Sequence, residues 1–242
     1  MKPSAILFDL DDTILSWEGG DPRQLWWMSV EAHTDHFGSI GTEALFAEIQ
    51  SVAAVFWSDA ERHRRGRLEI HRTRRELVRR AAENLGCANE AAAHALADYY
   101  HERRENDVVL FDGALETLER LRQMPIRTAL ITNGGTDVQR AKIAKYSLER
   151  LFDLVLVEGE LGIGKPDPAI YQHALRKLDA PADRTWMVGD NLEWEVRAPQ
   201  QLGIHSIWHD HLGQGLPPTA GVRPDRIIQR ISELLPLLSA AE

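Results

Sequence analysis

Five short apolar segments, separated by longer stretches, constrain the fold of this chain more than any other feature of its sequence. Short runs rich in aliphatic residues are typical of strands that are buried on both faces of a sheet. The segments are Ala5–Phe8, Thr128–Ile131, Leu154–Val157, Thr185–Val188 and Ser206–Trp208. Helical patterns flank or separate the last four, at Ala114–Gln123, Thr136–Lys145, Pro168–Leu178 and Glu193–Gln201. This alternation predicts an α/β fold in which helices cover both faces of a parallel sheet.

The first two predicted strands are separated by more than a hundred residues, far more than a crossover connection needs. The intervening stretch has helix signals of its own, which predict one helix from Asp21 to Gly38, a second capped by Thr42, a third through Ile70 and Leu85, and a fourth from Asn89 to about Arg104. We therefore predict an inserted all-helical domain. After a loop at Gly213–Pro224, the pattern predicts a last helix over Ile227–Leu238.

The first predicted strand runs directly into Asp9-Leu10-Asp11-Asp12-Thr13. Because alternate side chains of an extended segment share a face, Asp9 and Asp11 can converge at the carboxyl end of the strand, the edge where open α/β sheets bind ligands. Two carboxylates there suit Mg²⁺, or a nucleophile with an acid/base partner. In an isolated motif, a polar turn capped by Asp12 or Thr13 is the alternative.

Three later segments add polar groups at the same predicted edge. They are Thr132-Asn133-Gly134-Gly135, Gly164-Lys165-Pro166-Asp167-Pro168, and Gly189-Asp190-Asn191 with Glu193 and Glu195. The first offers a hydroxyl and main-chain N–H groups that can hold an anion, the second a lysine on a segment stiffened by Pro166, and the third another carboxylate. Each alone is also typical of an ordinary turn or cap. Together they provide the nucleophile, metal charge, cation and oxyanion donors of phosphoryl transfer.

In order and spacing, these motifs resemble those of the haloacid dehalogenase superfamily of phosphohydrolases. The matching segments are Asp9–Thr13, Thr132–Gly134, Lys165 and Gly189–Glu195. The resemblance covers nearly the whole predicted core and implies a Rossmann-like sheet.

The resemblance also implies a role for each matching residue. Asp9 would be the nucleophile that forms an aspartyl-phosphate, while Asp11 would protonate the leaving oxygen and later activate water. The residues implied in phosphate binding are Thr132, Asn133 and Lys165, and the groups implied in holding Mg²⁺ are Asp9, the main-chain carbonyl of Asp11, and Asp190.

The chain departs from the usual motifs of the superfamily at two positions, and a third residue distinguishes it from the namesake dehalogenases. Glu195 stands where aspartate is usual, so we predict that it orients a metal-bound water or Lys165 without binding the metal. Pro199 stands where a small residue is usual. The namesake dehalogenases lack an aspartate at the position of Asp11, which favours phosphate-ester hydrolysis over carbon–halogen cleavage.

Members with these motifs place a helical cap between the first and second motifs. The resemblance therefore predicts a catalytic core of residues 1–15 and 109–242, with a cap at residues 16–108. Only 32 residues separate Thr132 from Lys165, too few for a second cap.

Charge and composition exclude several classes of partner and indicate where the protein is located. The formal charge of −9, from 28 basic and 37 acidic residues, argues against general nucleic-acid binding. No stretch reaches the roughly 18 to 20 apolar residues of a membrane span, and the apolar run within Met1–Phe8 is too short for a signal peptide. The single cysteine, Cys87, excludes an internal disulfide and a multi-cysteine zinc cluster. We expect a cytoplasmic protein that binds no membrane; no oligomeric state is predicted.

Four further features are better explained by structure than by function. The segment Arg62–Arg80 holds nine arginines and is typical of a solvated helix face, with an anion or partner site as the alternative. Core packing is favoured over a substrate pocket for Trp17, Trp26, Trp27 and Trp57. His205, His209 and His211 fit a strand end and loop better than a metal site, and we expect Cys87 to be structural.

The combined prediction is an Mg²⁺-dependent phosphatase that hydrolyses a small phosphorylated metabolite, either a sugar phosphate or a nucleoside monophosphate. A phosphomutase on the same fold and a non-catalytic phosphometabolite-binding protein are the alternatives. A signalling receiver domain also carries paired aspartates, a threonine and a lysine at strand ends. Two features argue against a receiver domain here. Such a domain is much shorter than this chain, and its phospho-acceptor follows a strand in the middle of the sequence rather than the first strand.

Overall fold

The structure, a computed structural model, describes residues 2–17 and 21–240. The chain forms two compact units, one from Met1–Ser16 with Val109–Glu242 and one from Trp17–Val108. We refer to them as the sheet unit and the helical unit. Residue 1, residues 18–20 and residues 241–242, which belong to the predicted core and cap, lie outside the described residues. None of the helices between residues 22 and 240 combines the length and apolar character that crossing a bilayer requires.

Within the described ranges there are eight strands: β1 (Ala5–Phe8), β2 (Leu15–Trp17), β3 (Val108–Leu110), β4 (Arg127–Thr132), β5 (Leu154–Val157), β6 (Thr185–Gly189), β7 (His205–His209) and β8 (Arg226–Ile228). Six of them form one parallel sheet in the order β5-β4-β1-β6-β7-β8, while β2 and β3 pair separately. Strand β1 is central, with Leu7 opposite Ala129 on one side and Met187 on the other. The carboxyl ends of β4, β1 and β6 therefore meet at one edge.

The sheet confirms the predicted α/β fold. All five predicted strands are present in it, and every residue of β1 is fully buried. Leu7, Ile131 and Met187 belong to a core cluster that includes Tyr171 and Ile170. Full burial of an aliphatic side chain contributes about 1.5 to 3 kcal/mol, so this cluster holds the strand ends in place.

The helical unit consists of α1 (Pro22–Glu31), α2 (Thr42–Trp57), α3 (Ala60–Leu68), α4 (Ile70–Asn84) and α5 (Glu90–Asn106). A separate core of Val30, Leu45, Val78 and Leu96 joins α1, α2, α4 and α5. The helices of the sheet unit are α6 (Ala114–Leu121), α7 (Thr136–Lys145), α8 (Glu158–Leu161), α9 (Pro168–Leu178), α10 (Ala198–Gln201) and α11 (Leu234–Ala240).

Two predicted helices of the sheet unit differ from the structure. The helix predicted from Ile227 is wrong over its first part, because β8 occupies Arg226–Ile228 and α11 begins only at Leu234. Side-chain exposure alternates there, from 47% for Ile227 to 2% for Ile228, as in a strand. So short an apolar run does not show from sequence whether its pattern repeats every two residues, as in a strand, or every 3.6, as in a helix.

The helix predicted over Glu193–Gln201 is a π-helix at Leu192–Arg197 followed by α10. Pro199 lacks the N–H that an α-helix would direct to the carbonyl four residues earlier.

The helical unit also departs from its predicted boundaries. Helix α1 ends at Glu31, and a separate 3₁₀ helix at Thr34–Phe37 precedes Gly38. The N-cap of α2 is Gly41, so Thr42 is the first helical residue rather than the cap. Helix α3 was not predicted, because its arginine-rich sequence has no apolar stripe that would indicate a helix.

Candidate active site

Asp9 follows β1 directly and lies at the carboxyl edge of the sheet, where it is only 7% exposed. Its Oδ1 accepts a hydrogen bond from Lys165 Nζ, and its Oδ2 accepts one from Thr13 Oγ1 at 3.3 Å. Burial raises the pKa of the Asp9 carboxyl, and the positive charge of Lys165 offsets only part of that effect. The structure thus holds a carboxylate with two fixed oxygens at the end of the central strand.

Lys165 is fully buried, and its ammonium lies between two carboxylates. Besides Asp9, it pairs with Glu195, whose Oε1 is 2.8 Å from Nζ. Burial alone would lower the pKa of Lys165, but the charges of Asp9 and Glu195 outweigh it and raise that pKa. Lys165 therefore remains charged at neutral pH.

Asn133 fixes the main chain of Lys165. Its Nδ2 donates to the Lys165 carbonyl at 2.7 Å, and its Oδ1 accepts from the Lys165 N–H at 2.8 Å. The sequence predicts Asn133 as a phosphate-binding residue, but its side-chain amide holds the lysine segment.

Glu195 is 1% exposed and belongs to the π-helix that follows β6. Its Oε2 accepts a hydrogen bond from the main-chain N–H of Asn191 at 2.8 Å, and burial raises the pKa of its carboxyl. The predicted proximity of Glu195 to Lys165 is present. Gly189 is required beside it, because a Cβ there would lie 2.0 Å from Glu195 Cγ.

Asp190 follows β6, and its carbonyl accepts a hydrogen bond from Trp208 Nε1 at 2.6 Å. Burial raises the pKa of the Asp190 carboxyl well above its ordinary value, and the negative charges of Glu195 and Asp9 raise it further. Several carboxylates therefore share one poorly solvated region, a charge arrangement that a divalent cation would stabilise.

Thr132 ends β4 and is 2% exposed. Its Oγ1 is 2.7 Å from Gln139 Nε2, which also lies 2.5 Å from the carbonyl of Asn133. The Gly134 N–H donates to Glu158 Oε2 at 3.0 Å. In this structure the Gly134 N–H is therefore engaged by the Glu158 side chain.

Asp11 has two partners that the sequence did not indicate. Lys142 Nζ is 3.0 Å from its Oδ1, and Gln139 Nε2 is 2.9 Å from its Oδ2. Gln139 and Lys142 stand three residues apart on α7, so they share one helix face. That spacing, directly after the second motif, is the only signal in the sequence that could have identified them.

At least eight of the nine arginines of Arg62–Arg80 pair with a carboxylate of the helical unit. Arg75 makes two hydrogen bonds to Asp98, both of 2.6 Å, and Arg79 pairs with Glu76 at 2.9 Å. Six of these arginines line a cavity of about 760 Å³. Because carboxylates already balance the guanidinium groups around it, the arrangement agrees with a solvated, ion-paired surface.

The remaining candidates lie in packing environments. Trp17 is 7% exposed and clusters with Trp26, which stacks on Tyr100 with ring centroids 3.7 Å apart. Trp27 and Trp57 contact Phe46 and Phe56 edge to face. His209 is buried on β7, His205 is near Asp225, and the ring of His211 is 5.7 Å from that of His209. Cys87 packs against the core of the helical unit.

Comparison with known proteins places the chain in a family. Residues 3–203 match the model of the haloacid dehalogenase-like hydrolases. The chain belongs to that family, and it is a hydrolase of the haloacid dehalogenase superfamily.

Several relatives carry phosphatase names. A phosphoserine phosphatase of Thermus thermophilus is 37% identical over 60% of this chain and 56% of its own length, so the match spans little more than half of that relative. A ribulose-1,5-bisphosphate 5-phosphatase of Halopiger xanaduensis is 29% identical over 86% of this chain and 84% of its own. An (S)-2-haloacid dehalogenase of Burkholderia cepacia is also 29% identical, over 68% and 75%.

Among solved structures, the magnesium-bound HAD hydrolase YfnB of Bacillus subtilis superposes with a TM-score of 0.71. It is 20% identical and covers 98% of this chain and 99% of its own. At that identity the similarity shows a common fold.

Proposed function

We propose that this protein hydrolyses a small phosphomonoester in two steps, with Asp9 as the nucleophile. The observation that supports it most is the buried Asp9–Lys165 pair at the carboxyl end of the central strand. A carboxylate oxygen of Asp9 attacks phosphorus, the ester oxygen leaves with a proton from Asp11, and an aspartyl-phosphate remains. Water then gives a proton to Asp11 and attacks phosphorus, which releases inorganic phosphate and restores Asp9.

Lys165 and Thr132 bind the phosphoryl oxygens in this proposal. The Lys165 ammonium stays charged and is kept close to Asp9, so it can neutralise negative charge that develops on the transferred group. Thr132 presents a buried hydroxyl at the end of the neighbouring strand. Since its side chain holds Lys165, Asn133 would contribute its main-chain N–H.

The charges around Asp9 fit a divalent cation. Burial raises the pKa of both the Asp9 and the Asp190 carboxyl, the charge of Asp9 raises that of Asp190 further, and a bound cation would relieve that repulsion. In the part of the chain that the structure describes, no three His, Cys, Asp or Glu side chains are grouped to hold a metal. Two carboxylates and the Asp11 carbonyl are sufficient protein ligands, since Mg²⁺ usually keeps several waters. When bound there, Mg²⁺ would supply positive charge against the phosphoryl oxygens.

Glu195 and the helical unit have supporting roles in the proposal. Glu195 orients Lys165 and does not bind the metal. Residues 16–108 serve as the family's cap, which selects the substrate. The phosphatase names of the relatives support a phosphorylated metabolite as the substrate. Sugar phosphates and nucleoside monophosphates are the first candidates. We also propose a cytoplasmic location.

The test is release of inorganic phosphate from p-nitrophenyl phosphate and from a panel of phosphorylated metabolites, with Mg²⁺ and with EDTA. We expect turnover that EDTA abolishes. The matched control is Asp9→Asn, which keeps nearly the same shape but removes the nucleophile, and we expect it to lose at least about 10²-fold of the activity.

Other outcomes would point to other functions. Saturable binding of a metabolite without phosphate release would indicate a binding protein. An isomeric sugar phosphate as product would indicate a phosphomutase. Halide release from a 2-haloacid, with no phosphate release from any ester, would overturn the proposal in favour of dehalogenation.

A further inference from the structure

The contacts of Asp11 lead beyond the proposed reaction. Lys142 Nζ lies 3.0 Å from Oδ1, and Gln139 Nε2 lies 2.9 Å from Oδ2. A carboxylate that is held through one oxygen can rotate about that contact. Because Asp11 is held through both oxygens, the plane of its carboxylate is fixed.

Both holding side chains come from α7, which begins just after the strand end that carries Thr132. Gln139 is 3% exposed, and the same Nε2 atom that faces Asp11 is 2.7 Å from Thr132 Oγ1. Gln139 therefore connects Asp11 to the hydroxyl that is proposed to bind the phosphoryl group. The orientation of Asp11 is set relative to that group rather than to solvent.

Lys142 adds charge to this arrangement. Its side chain is 12% exposed, whereas that of Asp11 is 35% exposed. An ammonium that is largely shielded from water makes a stronger charge-assisted hydrogen bond than an exposed one. The two lysines of the site thus contact different carboxylates, Lys165 at Asp9 and Lys142 at Asp11.

We propose that Gln139 and Lys142 are positioning residues that fix the direction in which Asp11 transfers its proton to the leaving oxygen. This inference rests on the proposed function, because it requires Asp11 to be the general acid. Neither residue needs to touch the substrate. Proton transfer requires donor and acceptor atoms within about 2.6 to 3.2 Å, and a displacement of about 1 Å can lower a rate about 10²-fold.

The first experiment compares Lys142→Met on two substrates, p-nitrophenyl phosphate and an alkyl phosphate. We expect kcat for the alkyl phosphate to fall about 10- to 100-fold, with a much smaller fall for p-nitrophenyl phosphate, whose leaving group needs little protonation. KM should change little, and Lys142→Arg should recover part of the loss. Lys145→Met is the matched control, because it removes a lysine from the last turn of α7. It should keep wild-type rates on both substrates.

The second experiment combines Lys142→Met with Asp11→Asn. If Lys142 acts through Asp11, the double variant should be no slower on the alkyl phosphate than Asp11→Asn alone. Losses that multiply would overturn the inference, because Lys142 would then act independently of Asp11. Equal losses on the two substrates for Lys142→Met would also overturn it, since they would indicate a purely structural role.

The same variants separate failure of the inference from failure of the proposed function. If Asp11→Asn is selective for the alkyl phosphate and Lys142→Met is not, only the inference is wrong. If Asp11→Asn slows both substrates equally, Asp11 is not the general acid, and both are wrong. Circular dichroism and thermal melting check that each variant folds. Lys142→Gln, which also removes the ammonium and should show the same selectivity, replaces Lys142→Met if that variant does not fold.

Discussion

Each unit of this protein contains an ion pair at one extreme of exposure to water. In the sheet unit, the side chains of Lys165 and Glu195 are each 1% exposed, and that of Asp9 is 11% exposed. In the helical unit, the pair of Arg72 and Glu69 is 83% and 62% exposed. Both pairs join a basic residue to an acidic one, but the first is almost completely shielded from water and the second is largely in contact with it.

The difference in exposure decides what each pair does. A buried pair has lost its hydration, so removal of one partner leaves an uncompensated charge and typically costs about 3 to 5 kcal/mol. In an exposed pair, both charged groups are solvated whether or not they are paired. Such a pair therefore typically contributes only about 0 to 1 kcal/mol to the free energy of unfolding. Loss of one partner should therefore have a large effect in the buried pair and a small one in the exposed pair.

The largest effect is expected for Lys165→Met. It should lower kcat at least about 10²-fold, because the phosphoryl group loses its cationic partner. It should also lower the free energy of unfolding by about 3 to 5 kcal/mol, because Asp9 and Glu195 are left buried together. Enzyme assays and urea denaturation measure both. Lys177→Met, at an exposed position on α9, is the control, and equal stability of the two variants would contradict the comparison.

The next effect concerns Mg²⁺ and distinguishes two buried carboxylates. Asp190→Ala should remove most of the Mg²⁺-dependent activity, because it deletes a proposed ligand. Glu195→Gln should raise the Mg²⁺ concentration for half-maximal activity by about 10- to 100-fold, the usual effect of a residue that supports a ligand. Titration of activity with Mg²⁺ measures both. If the two variants behave alike at saturating Mg²⁺, Glu195 binds the metal directly and its proposed role is wrong.

A smaller effect is expected from pH, in the helical unit. Burial and the Arg74 guanidinium lower the pKa of His101 to about 4, despite nearby Glu105. Because the unfolded chain takes up this proton near pH 6.5 and the folded chain does not, stability is lost as pH falls from about 6.5 to 4. At pH 5, the loss from this group should be about 1 kcal/mol, after allowance for partial solvation. His101→Gln should show a correspondingly shallower decline in denaturant unfolding between pH 7 and 5; an unchanged decline would exclude His101 as its source.

The smallest effect is expected for Arg72→Ala. This arginine pairs with Glu69 at 3.1 Å but remains largely in water. Its removal should change the free energy of unfolding by no more than about 0.5 kcal/mol. Activity should not change. A loss of activity together with intact stability would show that the arginine-rich surface has a functional role.

The sequence predicted the strand ends well because the necessary information is local. An apolar run followed by polar residues identifies both β1 and Asp9 without knowledge of the rest of the chain. The contacts of Asp11 could not be predicted this way, since Gln139 and Lys142 are 128 and 131 residues away from it. On α7 they are two polar residues among others, and only the parallel pairing of β1 with β4 brings that helix to the site. Likewise, β8 could not be distinguished from a helix until its pairing with β7 was known.

The side-chain amide of Gln139 has fewer hydrogens to donate than it has acceptors around it. An amide nitrogen carries two hydrogens, but three acceptors lie within 2.9 Å of it: Asp11 Oδ2, Thr132 Oγ1 and the Asn133 carbonyl. The two amide hydrogens cannot make a separate, well-aligned hydrogen bond to each of three acceptors at once. The three contacts therefore compete for two hydrogens, and a proton taken up by Asp11 would leave both of them to Thr132 and the Asn133 carbonyl.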